Sequence, residues 1–162
     1  LCFNTLLKEG IQAKLDHESG KLTTALSNII EVNILLSGIG FESGGLASAH
    51  AIHNGLTILP ETHKFYHGEK VAFGVLTGLH LNNATPEEIS SVCNFCVSVG
   101  LPVTLSEIGI SDYSRENIMK VAHKSTESGS SIHHEKGEIT AEKVYAALMK
   151  ADEYGRRYIE NT

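Results

Sequence analysis

The chain has 162 residues, 41% of them hydrophobic and 20% charged, a globular composition sufficient for one domain with a core and unlike that of a disordered chain. A net charge of −6, with no Lys/Arg run longer than the pair Arg156-Arg157, argues against nucleic acid as a partner. Cys2, Cys93 and Cys96 are an odd, sparse set that suits a reducing cytoplasm, and no apolar run reaches the roughly 18 residues expected of a membrane span.

The periodicity is helical from the start. Leu7, Ile11 and Leu15 recur one turn apart, and Gly20 offers a stop. The opening "LCFNTLLKEG" has no methionine, so the sequence is expected to be part of a longer protein. A second helix is predicted from Thr23 through Leu26, Ile29, Ile30, Asn33 and Leu36, ended by Gly38 and Gly40. A third fits Gly44 to about Ile58, closed by Pro60. A loop over Glu61–His67 precedes a helix through Val71, Val75 and Leu79.

"ATPEE" is a strong helix opening. Thr85 caps, Pro86 takes the first turn, and Glu87 and Glu88 face the positive end of the dipole. That helix is expected to stop near Gly100. After a turn near Leu105, another runs from Ser114 to Thr126. "ESGSSIHHEKGE" reads as a mobile polar loop with His133 and His134 in solvent, and "TAEKVYAALMKADEYGRRYI" as the closing helix. No stretch alternates as a strand should. The expectation is a single all-α, bundle-like domain over residues 1–162.

The histidines raise the chemical question. His50 and His53 stand about one turn apart on one helix face, and His67 opens the next helix, which the intervening loop can fold back antiparallel. Two of these imidazoles could grip a divalent ion, or all three could be packing residues; spacing alone supports either reading. Two nitrogens also fall short of the three protein ligands a catalytic zinc takes. Cys93 and Cys96 lie at helical spacing among Val92, Phe95 and Val97, as a small buried pair would. His63 reads as a rim residue.

Three longer blocks narrow the choice: "SGIGFESGGLASAHAIHNG" at Ser37–Gly55, "HGEKVAFGVL" at His67–Leu76 and "GLPVTLSEIGI" at Gly100–Ile110. They resemble the metal-dependent polyol dehydrogenases, the so-called iron-containing alcohol dehydrogenase family, and the likeness runs across nearly the whole chain. What it resembles is the carboxyl-terminal helical half of a two-domain, dehydroquinate-synthase-like fold. The resemblance implies His50 and His67 as metal ligands, with the family's third ligand, an aspartate, lying upstream of anything in this sequence. It also implies Phe41 as a substrate-pocket aromatic. His53 is the catalytic candidate, placed to relay the alcohol proton or to orient substrate. The implied activity is NAD-dependent oxidation of glycerol to dihydroxyacetone, assisted by Zn2+ or Fe2+. NAD would be held by an amino-terminal α/β domain, since no glycine-rich dinucleotide turn occurs here. A cytoplasmic homo-oligomer acting on a small polyol, inactive as this chain alone, is therefore expected. A non-catalytic helical assembly module is the alternative.

Overall fold

Helices carry all the regular structure of residues 1–161, the residues described by the computed structural model, and none of these lies in a strand. The chain forms two compact units, the first spanning Leu1–Gly45 and the second beginning at Leu46.

In the first unit, α1 (Cys2–Glu18) turns back at Gly20, whose φ of +67° suits a residue without a Cβ. Thr23 caps α2 (Thr24–Glu31) by accepting the Leu26 N–H at 3.3 Å, and its own hydroxyl donates to Asp16. Asn28 ties the helices together by donating to Glu9 Oε2 at 2.7 Å. The expected stop at Gly38 and Gly40 does not occur. The chain continues through a π-helical stretch, Val32–Leu36, directly into α3 (Ser37–Gly44). A glycine ends a helix where it takes up positive φ. Here the glycine that does so is Gly45, at +71°.

No unbroken apolar run reaches the roughly 18 residues of a membrane span, but the continuous helix Thr24–Gly44 is apolar on average over that length. The helix is 21 residues long, and its most apolar 18-residue window has a mean hydropathy of 1.4 and is 6% buried, so by length and composition alone it could span a bilayer. Asn28, Glu31 and Asn33 interrupt the apolar residues, and the glycines make the helix read shorter than it is.

In the second unit, α4 (Ser48–Leu56) lies against α5 (His67–Leu81) and α7 (Arg115–Ser125), while α5 also packs on α6 (Pro86–Val99) and α8 (Ala141–Glu160). Phe73, Ile52, Leu56, Leu76, Ile118 and Leu148 are the large side chains sealed between them. Thr85 and Glu88 form a full capping box: Glu88 N–H donates to Thr85 Oγ1 at 3.3 Å and Thr85 N–H to Glu88 Oε2 at 2.9 Å. Buried Cys93 and Cys96 have thiol pKa values raised to about 11, by burial first and then by Glu107 and by Cys93 respectively, which leaves both inert. The segment 127–138 is not the free loop expected. Ser131–His134 make a 3₁₀ turn, Ser131 Oγ donates to the Ala47 carbonyl at 3.0 Å, and His134 Nδ1 lies 2.6 Å from the Leu46 carbonyl. Glu135 accepts the N–H of Ser48 at 3.0 Å, which supplies α4 with a cap from a remote part of the chain.

Candidate metal centre

How closely α4 and α5 approach sets the geometry of the histidines. A Cβ on Gly74 would lie 2.4 Å from the Ala49 carbonyl oxygen, and one on Gly78 would lie 2.6 Å from Ser48 Oγ. Bare glycine is therefore what lets the start of α4 seat directly on α5. The connection between them is pinned as well. Thr62, fully buried, donates to the carbonyls of Leu56 (2.8 Å) and Leu59 (2.9 Å), and buried Lys70 donates from Nζ to Thr62 O at 3.1 Å. Glu69 Oε2 accepts the Tyr66 N–H at 2.6 Å and so fixes where α5 begins. Lys70 and Glu69 thus hold the frame that aims His67.

The result is a histidine cluster on one side of the second unit. His50 and His67 have ring centroids 5.5 Å apart, and those of His53 and His67 are 4.2 Å apart and edge-on. His53 is thus not a bystander to His67 but its hydrogen-bond partner, with His67 Nδ1 3.1 Å from His53 Nε2. Asn54 Oδ1 lies 3.0 Å from His53 Nδ1, and a carbonyl oxygen can only accept, so His53 carries its proton on Nδ1. Its Nε2 then accepts from the Nδ1–H of His67. The remaining nitrogen of His67, Nε2, keeps a free lone pair. The chain Asn54–His53–His67 therefore selects the tautomer a metal-ligating imidazole needs.

Electrostatics favour the same state. Burial, followed by the neighbouring His67, pulls the His50 pKa below its ordinary value. His53 is lowered too, by burial first and then by His67, Lys70 and His50, against the opposing effect of the hydrogen bond it donates to Asn54. Neutral imidazoles are the ligand form.

The donor set fits part of a metal site. Two imidazoles on one tetrahedral zinc, with Zn–N near 2.1 Å, place their ring centres about 5 Å apart; His50 and His67 stand close to that. Among the described residues no group of three His, Cys, Asp or Glu side chains is placed to hold a metal ion together, so the three clustered histidines supply a ligand pair and not a complete site. Phe41 belongs to the first unit, on α3, and is 52% exposed. His63 is an exposed residue whose Nε2 lies 2.8 Å from the Thr57 carbonyl. His133 and His134 remain exposed, with His133 Nε2 3.2 Å from the Glu127 carbonyl and His134 against the Leu46 carbonyl.

No family model matches the chain. It is 53% identical over 156 residues to a glycerol dehydrogenase of Thermotoga maritima, covering 96% of this chain and 43% of that relative. It is 51% identical over 160 residues to one from Escherichia coli, covering 99% of the chain and 44% of the relative. The solved glycerol dehydrogenase of Schizosaccharomyces pombe superposes with a TM-score of 0.94 at 37% identity, over 99% of this chain and 41% of that one. The chain spans less than half the length of the curated relatives it matches.

Proposed function

Because the chain shares its whole length and its fold with the helical, carboxyl-terminal part of the glycerol dehydrogenases, we propose that it is the metal-binding half of such an enzyme. The complete protein would oxidise glycerol to dihydroxyacetone with NAD as hydride acceptor. His50 and His67 would hold the metal, Zn2+ or Fe2+, together with a carboxylate from the other half. When bound, that ion would act as a Lewis acid on the substrate hydroxyl. The carrying observation is the pairing of His50 and His67 at 5.5 Å, with His67 held in a ligating tautomer.

The other roles follow from position. His53 holds the His67 ring by accepting its Nδ1–H, and the same contact gives a proton a path between the two rings. Phe41 would line the substrate pocket once the missing half is in place. The exposed apolar residues Ile30, Ile34, Leu35 and Ile39 share its helix. That surface would then be covered by protein in a cytoplasmic homo-oligomer and would not face lipid.

A chimera tests the reading. The matching segment of the E. coli relative is replaced by this chain, and NADH formation from glycerol is followed. Turnover that is restored by the graft and abolished by His50→Ala or His67→Ala supports the proposal. A folded, cofactor-binding chimera without turnover, or turnover indifferent to both substitutions, refutes it. The 162-residue chain alone should form no NADH. The exposed apolar residues of the first unit carry a second reading, a helical assembly module without catalysis. Its signature is a folded chimera that assembles but binds no metal.

A further inference from the structure

A cleft of about 430 Å3 separates the end of α5 from one face of α8, on residues that the histidine cluster does not use. Its construction can be read from the sequence. Lys143, Ala147 and Lys150 fall on one face of α8 at helical spacing, with Ala146 beside them. The two alanines leave a low floor, and the two lysines, about 10 Å apart along the helix axis, stand on either side of it. Lys136 arrives from the loop before α8, and His80 and Asn83 close the far wall from the end of α5.

Three cations in one cleft call for an explanation. Most other surface cations are paired: Arg115 with Glu142, Lys120 with Glu116, Lys124 with Glu127, Arg157 with Glu153. Among the described residues none of Lys136, Lys143 and Lys150 makes an ion pair, and Lys143 Nζ reaches only the backbone carbonyl of Glu138. Glu135, the carboxylate bonded to the lining residue Asn82, is already occupied by Asn82 and the Ser48 N–H. Nor are the lysines needed to neutralise the carbonyl end of α5. That end is closed by its own backbone, with Asn83 at φ +52°, its N–H donating to His80 O, and Ala84 N–H donating to Leu79 O at 2.9 Å. His80 Nε2 is itself buried in the wall without a hydrogen-bond partner.

We propose that this cleft binds a phosphate-bearing small molecule, its phosphoryl group held by Lys136, Lys143 and Lys150, with His80 in the wall behind them. Lysine serves phosphate as a point charge, and a dianion suits three ammonium groups better than a single carboxylate does. The volume is in the small-metabolite range of roughly 300–1,000 Å3 and exceeds what one inorganic phosphate fills. Burial, and then Lys150, lower the His80 pKa, so the wall of the cleft adds no fourth cation near neutral pH. The proposal is independent of the dehydrogenase reading.

Calorimetric titration of the full chain with inorganic phosphate, ribose 5-phosphate and uncharged ribose tests it. Saturable binding of ribose 5-phosphate is expected, with none for ribose. The double variant Lys143→Gln/Lys150→Gln, and separately Lys136→Gln on the loop, should weaken it at least tenfold while thermal melts stay unchanged, since all three side chains are exposed. Phosphate binding as tightly as the ester identifies free phosphate as the occupant. Tighter binding of the ester identifies an organic phosphate. No saturable binding of either, or equal binding by the wild type and the folded lysine variants, overturns the proposal.

Discussion

Gly74 of α5 rests directly on the Ala49 carbonyl of α4, so close that a methyl group there would stand 2.4 Å from the oxygen. The obstacle is backbone and cannot rotate away. Gly74→Ala should therefore push α4 off α5 and destabilise the chain by about 3 kcal/mol, at the upper end of the cost of overpacking. Because His50 lies one residue beyond Ala49, the same variant should weaken metal binding. Urea unfolding and a Zn2+ titration measure the two effects.

His53→Ala removes the acceptor that fixes His67. Loss of such a supporting contact lowers metal affinity by about 10- to 100-fold. Asn54→Ala should have a smaller effect in the same direction, since it frees only the far end of the chain. Zn2+ titration of each variant, with circular dichroism to confirm the fold, is the check; unchanged affinity in His53→Ala would show that the contact does not support ligation.

Asp152 is fully buried, accepts the Leu105 N–H at 2.8 Å, and pairs with Arg156 at 3.0 Å. Burial raises its pKa, and the bond from Leu105 and then Arg156 oppose the shift. Asp152→Ala strands a buried backbone N–H and should cost about 2–3 kcal/mol. Arg156→Ala should cost less, because half of that side chain is in water. Chemical denaturation of the two variants tests the order.

His50, His53 and His80 all have pKa values below the ordinary 6.5, each chiefly through burial. Between 6.5 and the lower folded values, the unfolded chain binds more protons than the folded one, so stability rises with pH in that window. The contribution is complete above pH 6.5 and is lost as the pH falls towards the folded values. The urea midpoint should be flat from pH 8 to 7 and should drop between pH 6.5 and 5. His80→Gln should reduce that drop without removing it.

Local signals were the legible ones. The caps at Thr23, Thr85, Ser114 and Thr140 and the stop at Gly100 depend on neighbours within a few residues, and the sequence displays them. The continuation through Gly38 and Gly40 was not legible, because composition does not reveal which glycine takes positive φ. The ordering of 127–138 was missed for a different reason. It rests on bonds from Ser131, His134 and Glu135 to Ala47, Leu46 and Ser48, far away in sequence. In the histidine cluster, the spacing of His50 and His67 was visible. The partner of His67 was not, since the contact with His53 exists only once Gly74 and Gly78 admit α4. The close approach itself is made by Ser48 and Ala49, small residues just before His50.

The wide turn at Val32–Leu36 accommodates one residue more than an α-helical turn would, and each residue advances an α-helix by about 100°. Deleting a single position there would let the coil tighten into ordinary α-helix, and because the wide turn absorbs the lost residue, Phe41 would emerge on the same side of the rod. The same deletion in the strictly α-helical stretch before it has no such slack and would swing the aromatic ring by more than a quarter of a revolution.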